Sequence, residues 1–212
     1  MRRRKLLWGG AVGMALMSLL VACSAPADQS VDPTISTDVE PTDYELVAFY
    51  SDRDSHPEIF TYNVNSAEVM RLTDDPAFDD SPALSPDGSR IVFLTARHDP
   101  QPNFPNLKYE IYVMNVDGSN LMRLTNTDAA EDHPSWSRDG EHILFDADYD
   151  GDGYYEIYVM DADGGNMMRL TFNDSSDQFA DWSPDGTQIA YSSYANGNWD
   201  ICVMDADGDN SR

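Results

Sequence analysis

Four times along this 212-residue chain an acidic residue followed by isoleucine opens a short apolar run, at Glu58-Ile59, Glu110-Ile111, Glu156-Ile157 and Asp200-Ile201. Three of the four are followed by Arg-Leu-Thr, beginning at Arg71, Arg123 and Arg169. A turn element beginning at Ser85, Ser137 and Ser183 comes next, and both series step by 52 and then 46 residues. Self-similarity at such an interval marks units that cannot bury their apolar faces alone and must stack on copies of themselves.

Within a unit, alternating apolar runs are separated by Gly, Asn, Asp and Pro, the pattern of half-buried strands joined by tight turns. Ile143-Leu144-Phe145 leads to Glu156-Ile157-Tyr158-Val159-Met160 and then to Met167-Met168-Arg169-Leu170-Thr171. With the run ending at the turn element, that makes four strands per unit. No helical periodicity appears after residue 46. Glycine supplies the positive φ of tight hairpins, so Asp117-Gly118, Asp139-Gly140, Asp163-Gly164 and Asp185-Gly186 read as turns. A period in the forties with four strands predicts an all-β chain, a β-propeller of four-stranded antiparallel blades.

The segments RLTNTDAAEDHPSWSRDGEHILF and YYEIYVMDADGGNMMRLT closely resemble the WD40-like repeats of TolB-type β-propellers. The resemblance runs from Val47 to Arg212 and implies that Trp-Ser-Pro-Asp-Gly is the innermost strand with its turn, and Arg-Leu-Thr the outermost strand. Leu84 stands at the Trp position of one copy and Arg138 at the Pro position of another. By that scheme residues 44–212 begin at a second strand and stop after the third strand of the fourth blade, about three and a half blades. Closed propellers have typically 4 to 8, so the expectation is a truncated chain or one completed by self-association.

The amino terminus reads separately. Met1-Arg2-Arg3-Arg4-Lys5 precedes an apolar stretch over 6–22, the layout of a secretory signal, and Leu20-Val21-Ala22-Cys23 resembles the bacterial lipobox. Residues 1–22 are then a lipoprotein signal peptide and Cys23 the lipidated terminus. Several acyl chains on one residue give stable membrane anchoring. Residues 23–43 are rich in Ser, Thr, Pro and Asp, too polar to bury a core, and form a flexible tether. The chain is expected outside the cytoplasm, on the outer membrane or on the outer face of the cytoplasmic membrane.

A net charge of −25 excludes nucleic acid, whose phosphates demand a basic surface. Cys202, the only other cysteine, aligns with Phe60, Tyr112 and Tyr158 and reads as a packed core residue.

The segment Asp148-Tyr149-Asp150-Gly151-Asp152-Gly153-Tyr154-Tyr155-Glu156 matches the start of a calcium loop, in which alternate carboxylates converge because glycine permits a sharp turn. An EF-hand is excluded, because its twelfth position is Val159. Nine-residue loops of this kind resemble the calcium hairpins of integrin-type propellers. On that resemblance the ligands are Asp148, Asp150, Asp152, Glu156 and the Tyr154 carbonyl; the other reading is a solvated acidic hairpin.

In an up-and-down blade this hairpin emerges on the same face as the connections to the next blade. That face would carry Asp80, Asp132, Asp177 and, from an insertion over 97–109, Phe104, and is the expected site of a small ligand or an envelope protein. No Gly-x-Ser-x-Gly elbow, His-Glu-x-x-His pair or phosphate loop occurs, and His56, His98, His133 and His142 stand singly. The reading is a non-enzymatic, lipid-anchored binding scaffold. The alternatives are the propeller of a prolyl-oligopeptidase-like hydrolase and a carbohydrate-binding propeller.

Overall fold

The computed structural model describes residues 45–53, 56–99 and 107–212, all within one compact unit over Thr42–Arg212. Cys23, the signal and tether segments and Phe104 lie outside the described residues. Among the described residues no helix is long and apolar enough to cross a membrane.

Among the described residues fourteen strands form four antiparallel sheets, each running in sequence order from one edge to the other. The first holds β1 (Leu46–Ser51), β2 (Glu58–Asn63) and β3 (Val69–Arg71). The second holds β4 (Asp79–Leu84), β5 (Arg90–Thr95), β6 (Glu110–Asn115) and β7 (Met122–Arg123). The third repeats that order with β8 (Glu131–Trp136), β9 (His142–Ala147), β10 (Glu156–Asp161) and β11 (Met168–Arg169). The fourth has β12 (Ser176–Trp182), β13 (Gln188–Ala195) and β14 (Asn198–Asp205). These are the expected blades, two complete and two of three strands. Arg212 pairs with Val203 through two backbone bonds of 3.0 Å, where β11 meets β10 in the preceding sheet.

The side-chain period of two sends alternate residues of each central strand to opposite sheet faces, and both faces are packed. Ile91, Phe93, Tyr112 and Met114 pack toward the first sheet with Ile59. Val92, Leu94, Ile111 and Val113 pack toward the third with Ile143, Phe145 and Tyr158. Leu144, Ile157 and Val159 then meet Ala180, Ile189, Tyr191 and Met204 of the fourth. The following sheet is what buries the isoleucine of the repeat: Ile59, Ile111 and Ile157 are fully buried, whereas Ile201 is 74% exposed. Cys202 is half-buried against the last of these clusters.

The threonine of Arg-Leu-Thr closes the polar accounts. Thr73, Thr125 and Thr171 accept the N–H of Ile59, Ile111 and Ile157 at 2.9, 2.8 and 3.0 Å, donors that the short outermost strands leave unpaired. Buried backbone donors need such partners.

Candidate functional site

β4, β8 and β12 touch one another in succession and so form the inner edge of the blades. Each carries the same irregularity. The pairing register with the second strand shifts between Asp80 and Ala83, Asp132 and Ser135, and Gln178 and Asp181. At each shift one residue adopts a left-handed backbone, Ser81 (φ 49°), His133 (φ 52°) and Phe179 (φ 58°). Bulges of this kind re-aim a side chain. The residues just before them, Asp80, Asp132 and Gln178, occupy one blade position at the inner edge.

These bulges assemble a cluster at the inner edge. The His133 ring places Nδ1 3.0 and 3.2 Å from the two carboxylate oxygens of Asp146, which is fully buried in β9. Asp146 also accepts the Phe179 N–H at 3.2 Å, and the Phe179 ring lies 4.1 Å from the imidazole, centroid to centroid. Asp132, His133 and Asp146 each offer a ligand atom within 4.8 Å of the others.

Charge in this cluster is poorly compensated. Burial pushes the Asp132 carboxyl up to about 6, with Asp146 and Asp80 adding to it against the pull of His133. Burial also raises Asp80 and Asp146. For His133 burial works downward, but Asp146, Asp132 and Asp80 together hold the imidazole above its ordinary value. The Tyr109 and Tyr155 hydroxyls are raised chiefly by burial and then by these same carboxylates.

The acids at the starts of the innermost strands separate into two rows, and Asp177, expected on the ligand face, falls in the buried one. Asp79, Glu131 and Asp177 are fully buried and turned into the blades. Asp79 meets Arg97 at 3.2 Å, Glu131 accepts from Thr125, Thr127 and Tyr149 at 2.9, 2.6 and 3.0 Å, and Asp177 accepts from Asn173 at 2.7 Å. Asp80 and Asp132 are half-buried at the inner edge.

The hairpin between β9 and β10 brings Asp148, Asp150 and Asp152 together, again within 4.8 Å. Asp148 accepts the N–H groups of Gly151 and Gly153 at 2.8 and 3.1 Å, and Asp152 that of Tyr154 at 2.9 Å. Glu156 stands outside this trio. It is fully buried, 2.8 Å from Arg169, and that guanidinium also reaches Asp150 at 2.9 Å. Neither Glu156 oxygen has an aligned hydrogen bond among the described residues. Burial pushes its carboxyl up to about 7; Arg169 opposes this and the three aspartates add to it.

His133 and Asp146 are the site residues that the sequence did not single out. The signal was present as a departure: Asp146 interrupts the apolar strand His142-Ile-Leu-Phe-Asp-Ala where the preceding blade has Leu94. Open grooves also lie elsewhere among the described residues. One of about 550 Å³ is lined by Trp182 and turn residues including Asp139, Asp185 and Asp207.

Stacked four-stranded blades with a polar inner edge define a β-propeller of the WD40-like class. The TolB beta propeller domain, PD40, matches residues 105–212, just over half of the sequence, and the chain belongs to that family. The TolB crystal structure from Acinetobacter baumannii superposes with a TM-score of 0.64 at 24% identity, over 81% of this chain and 41% of that one. An uncharacterised protein of Agrobacterium fabrum is 30% identical over 106 residues, 49% of this chain and 36% of its own. Dipeptidyl-peptidase 5 of Porphyromonas gingivalis is 36% identical over 63 residues, 30% of this chain and 9% of the enzyme. The chain therefore spans well under half the length of each of these relatives.

Proposed function

We propose that the chain is a non-enzymatic binding scaffold of the bacterial cell envelope, held to a membrane through lipidated Cys23, which takes its partner at the inner acidic edge of the blades. The observation that carries this reading is the placement of Asp80 and Asp132 at one blade position on neighbouring innermost strands. Half-buried carboxylates repeated around an edge suit a basic segment of an envelope protein or a cationic small ligand, because opposite charge steers encounter and fixes register. Membership of the TolB propeller family supports an extracytoplasmic role. A calcium ion held by Asp148, Asp150 and Asp152 stabilises the hairpin beside that edge.

The test is cross-linking in envelope fractions, comparing the wild type with a double variant, Asp80→Lys with Asp132→Lys, whose circular dichroism is unchanged. The variant should lose a partner that the wild type captures; identical partners in both would remove the acidic edge as the docking site. The 63-residue match to a dipeptidyl-peptidase motivates the peptidase reading, which hydrolysis of dipeptidyl chromogenic substrates by the full chain would favour.

A further inference from the structure

We propose that His133 and Asp132 hold a divalent transition-metal cation, and that Asp146 is the residue that positions the imidazole. This inference does not rest on the scaffold reading, since it concerns a metal rather than a partner.

The geometry at His133 is the first support. Asp146 is fully buried and committed, accepting both from the ring at Nδ1 and from the Phe179 N–H. A carboxylate on Nδ1 fixes that nitrogen as the N–H donor and leaves Nε2 with its lone pair free. Metal-binding histidines are oriented in this way, their second nitrogen donating to a carboxylate. The Phe179 ring packs against the imidazole at 4.1 Å, and the bulge at His133 (φ 52°) sets where the ring starts from.

The second support is the charge around His133. Asp132 adjoins His133, and its carboxylate receives no hydrogen bond from a described residue. No lysine or arginine among the described residues pairs with Asp132, Asp80 or Asp146. Buried acids elsewhere in the chain have arginine or side-chain donors: Arg71 meets Glu58 at 2.6 Å, Arg123 meets Glu110 at 2.6 Å and Arg97 meets Asp79 at 3.2 Å, while Glu131 and Asp177 accept from hydroxyls and an amide. Here three carboxylates share a single imidazole. Buried charge that lacks a partner is costly unless it is paired or coordinates a metal.

The choice of ion follows from the donor types. Calcium takes oxygen ligands alone, and the aspartate trio in the β9–β10 hairpin offers that. A nitrogen donor beside carboxylates suits zinc, copper, iron or nickel instead. His133 retains 34% side-chain exposure, so an ion can enter from solvent.

The full chain is titrated with zinc by calorimetry in saturating calcium, which removes the hairpin from competition. The wild type should bind one zinc ion. His133→Gln and Asp132→Asn should each weaken it at least tenfold, Asp146→Asn by about 10- to 100-fold, and Asp150→Ala should leave it unchanged. In the wild type the His133 side-chain nitrogen spectrum should show the Nδ1–H tautomer before zinc and a shift confined to Nε2 afterward. No zinc uptake by the wild type, zinc affinity that survives His133→Gln, or an unmoved His133 resonance would each overturn the proposal. The resonance is read on the wild type, so it remains decisive if a variant fails to fold.

Discussion

Glu58, Glu110 and Glu156 hold one position in three blades, and each faces an arginine thirteen residues on, at 2.6, 2.6 and 2.8 Å. That repetition explains why Glu156 sits outside the aspartate trio although its spacing from Asp148 suits a calcium loop. Glu156 is fully buried against Arg169, whereas Asp150, which Arg169 also reaches, lies on the exposed turn with the other two aspartates. Arg169 bridges Glu156 and Asp150, so its guanidinium supplies positive charge beside the trio. Asp150→Ala should therefore abolish calcium binding measured by calorimetry, while Glu156→Gln should keep it within about threefold. Where calcium is bound at about 100 times its dissociation constant, it should add about 2.7 kcal/mol to unfolding stability. A wild type that takes up no calcium would end this account, and loss of binding in Glu156→Gln would restore Glu156 as a ligand. The sequence shows the carboxylates of this hairpin plainly. It does not show which are committed elsewhere, because Arg169 is brought in by β11, the next strand of the blade.

The hairpin between third and fourth strands carries a constraint that turn chemistry alone does not reveal. Gly118, Gly164 and Gly208 have φ of +81°, +87° and +91°, and a Cβ on them would lie 3.1, 2.9 and 3.2 Å from the carbonyl oxygens of Leu72, Leu124 and Leu170. Each Asp-Gly turn thus seats against the Arg-Leu-Thr segment of the blade before it. Gly186, in the turn after the innermost strand, has φ +72° but nothing within 4 Å. Alanine at Gly186 should cost about 1–2 kcal/mol for the left-handed backbone. At Gly164 the clash with backbone should add about 1–3 kcal/mol more. Urea denaturation of the two variants checks this, and equal losses would mean that the blade contact is slack. The strands and turns were legible because their periodicity is local. The bulges at Ser81, His133 and Phe179 were not, since a serine, a histidine and a phenylalanine share no turn signature and their shared backbone appears only when the second strand pairs beside them.

Across the whole molecule the net charge of −25 is distributed unevenly in energy. Exposed turn aspartates are well served: hydrogen bonds from Ser85 and Ser89 hold Asp87 down at about 2, and those from Ser183 and Thr187 do the same for Asp185. Composition shows that acid is abundant, but burial decides its sign in stability, and the inner acids run the other way. Glu131 is raised from 4.5 to about 7. Below pH 4.5 it is protonated in both folded and unfolded chains. Between 4.5 and 7 the unfolded chain releases the proton while the folded one keeps it, so stability falls as pH rises, and it levels off above 7. The full effect is about 3 kcal/mol at 1.36 kcal/mol per unit. Asp132, at about 6, acts in the same direction over a lower window. The His133 contribution is present below its unfolded value near 6.5 and is lost as pH rises through its raised folded value, again in the same direction. The turn aspartates oppose this only below about pH 4, where their stabilisation is lost as pH falls toward 2. In metal-free buffer the unfolding free energy should therefore decline from pH 5 to pH 8, and Glu131→Gln should flatten much of that slope. Denaturation series at fixed pH values measure it, and a stability that stays level or rises across that interval would show that these carboxylates are better compensated than their burial implies.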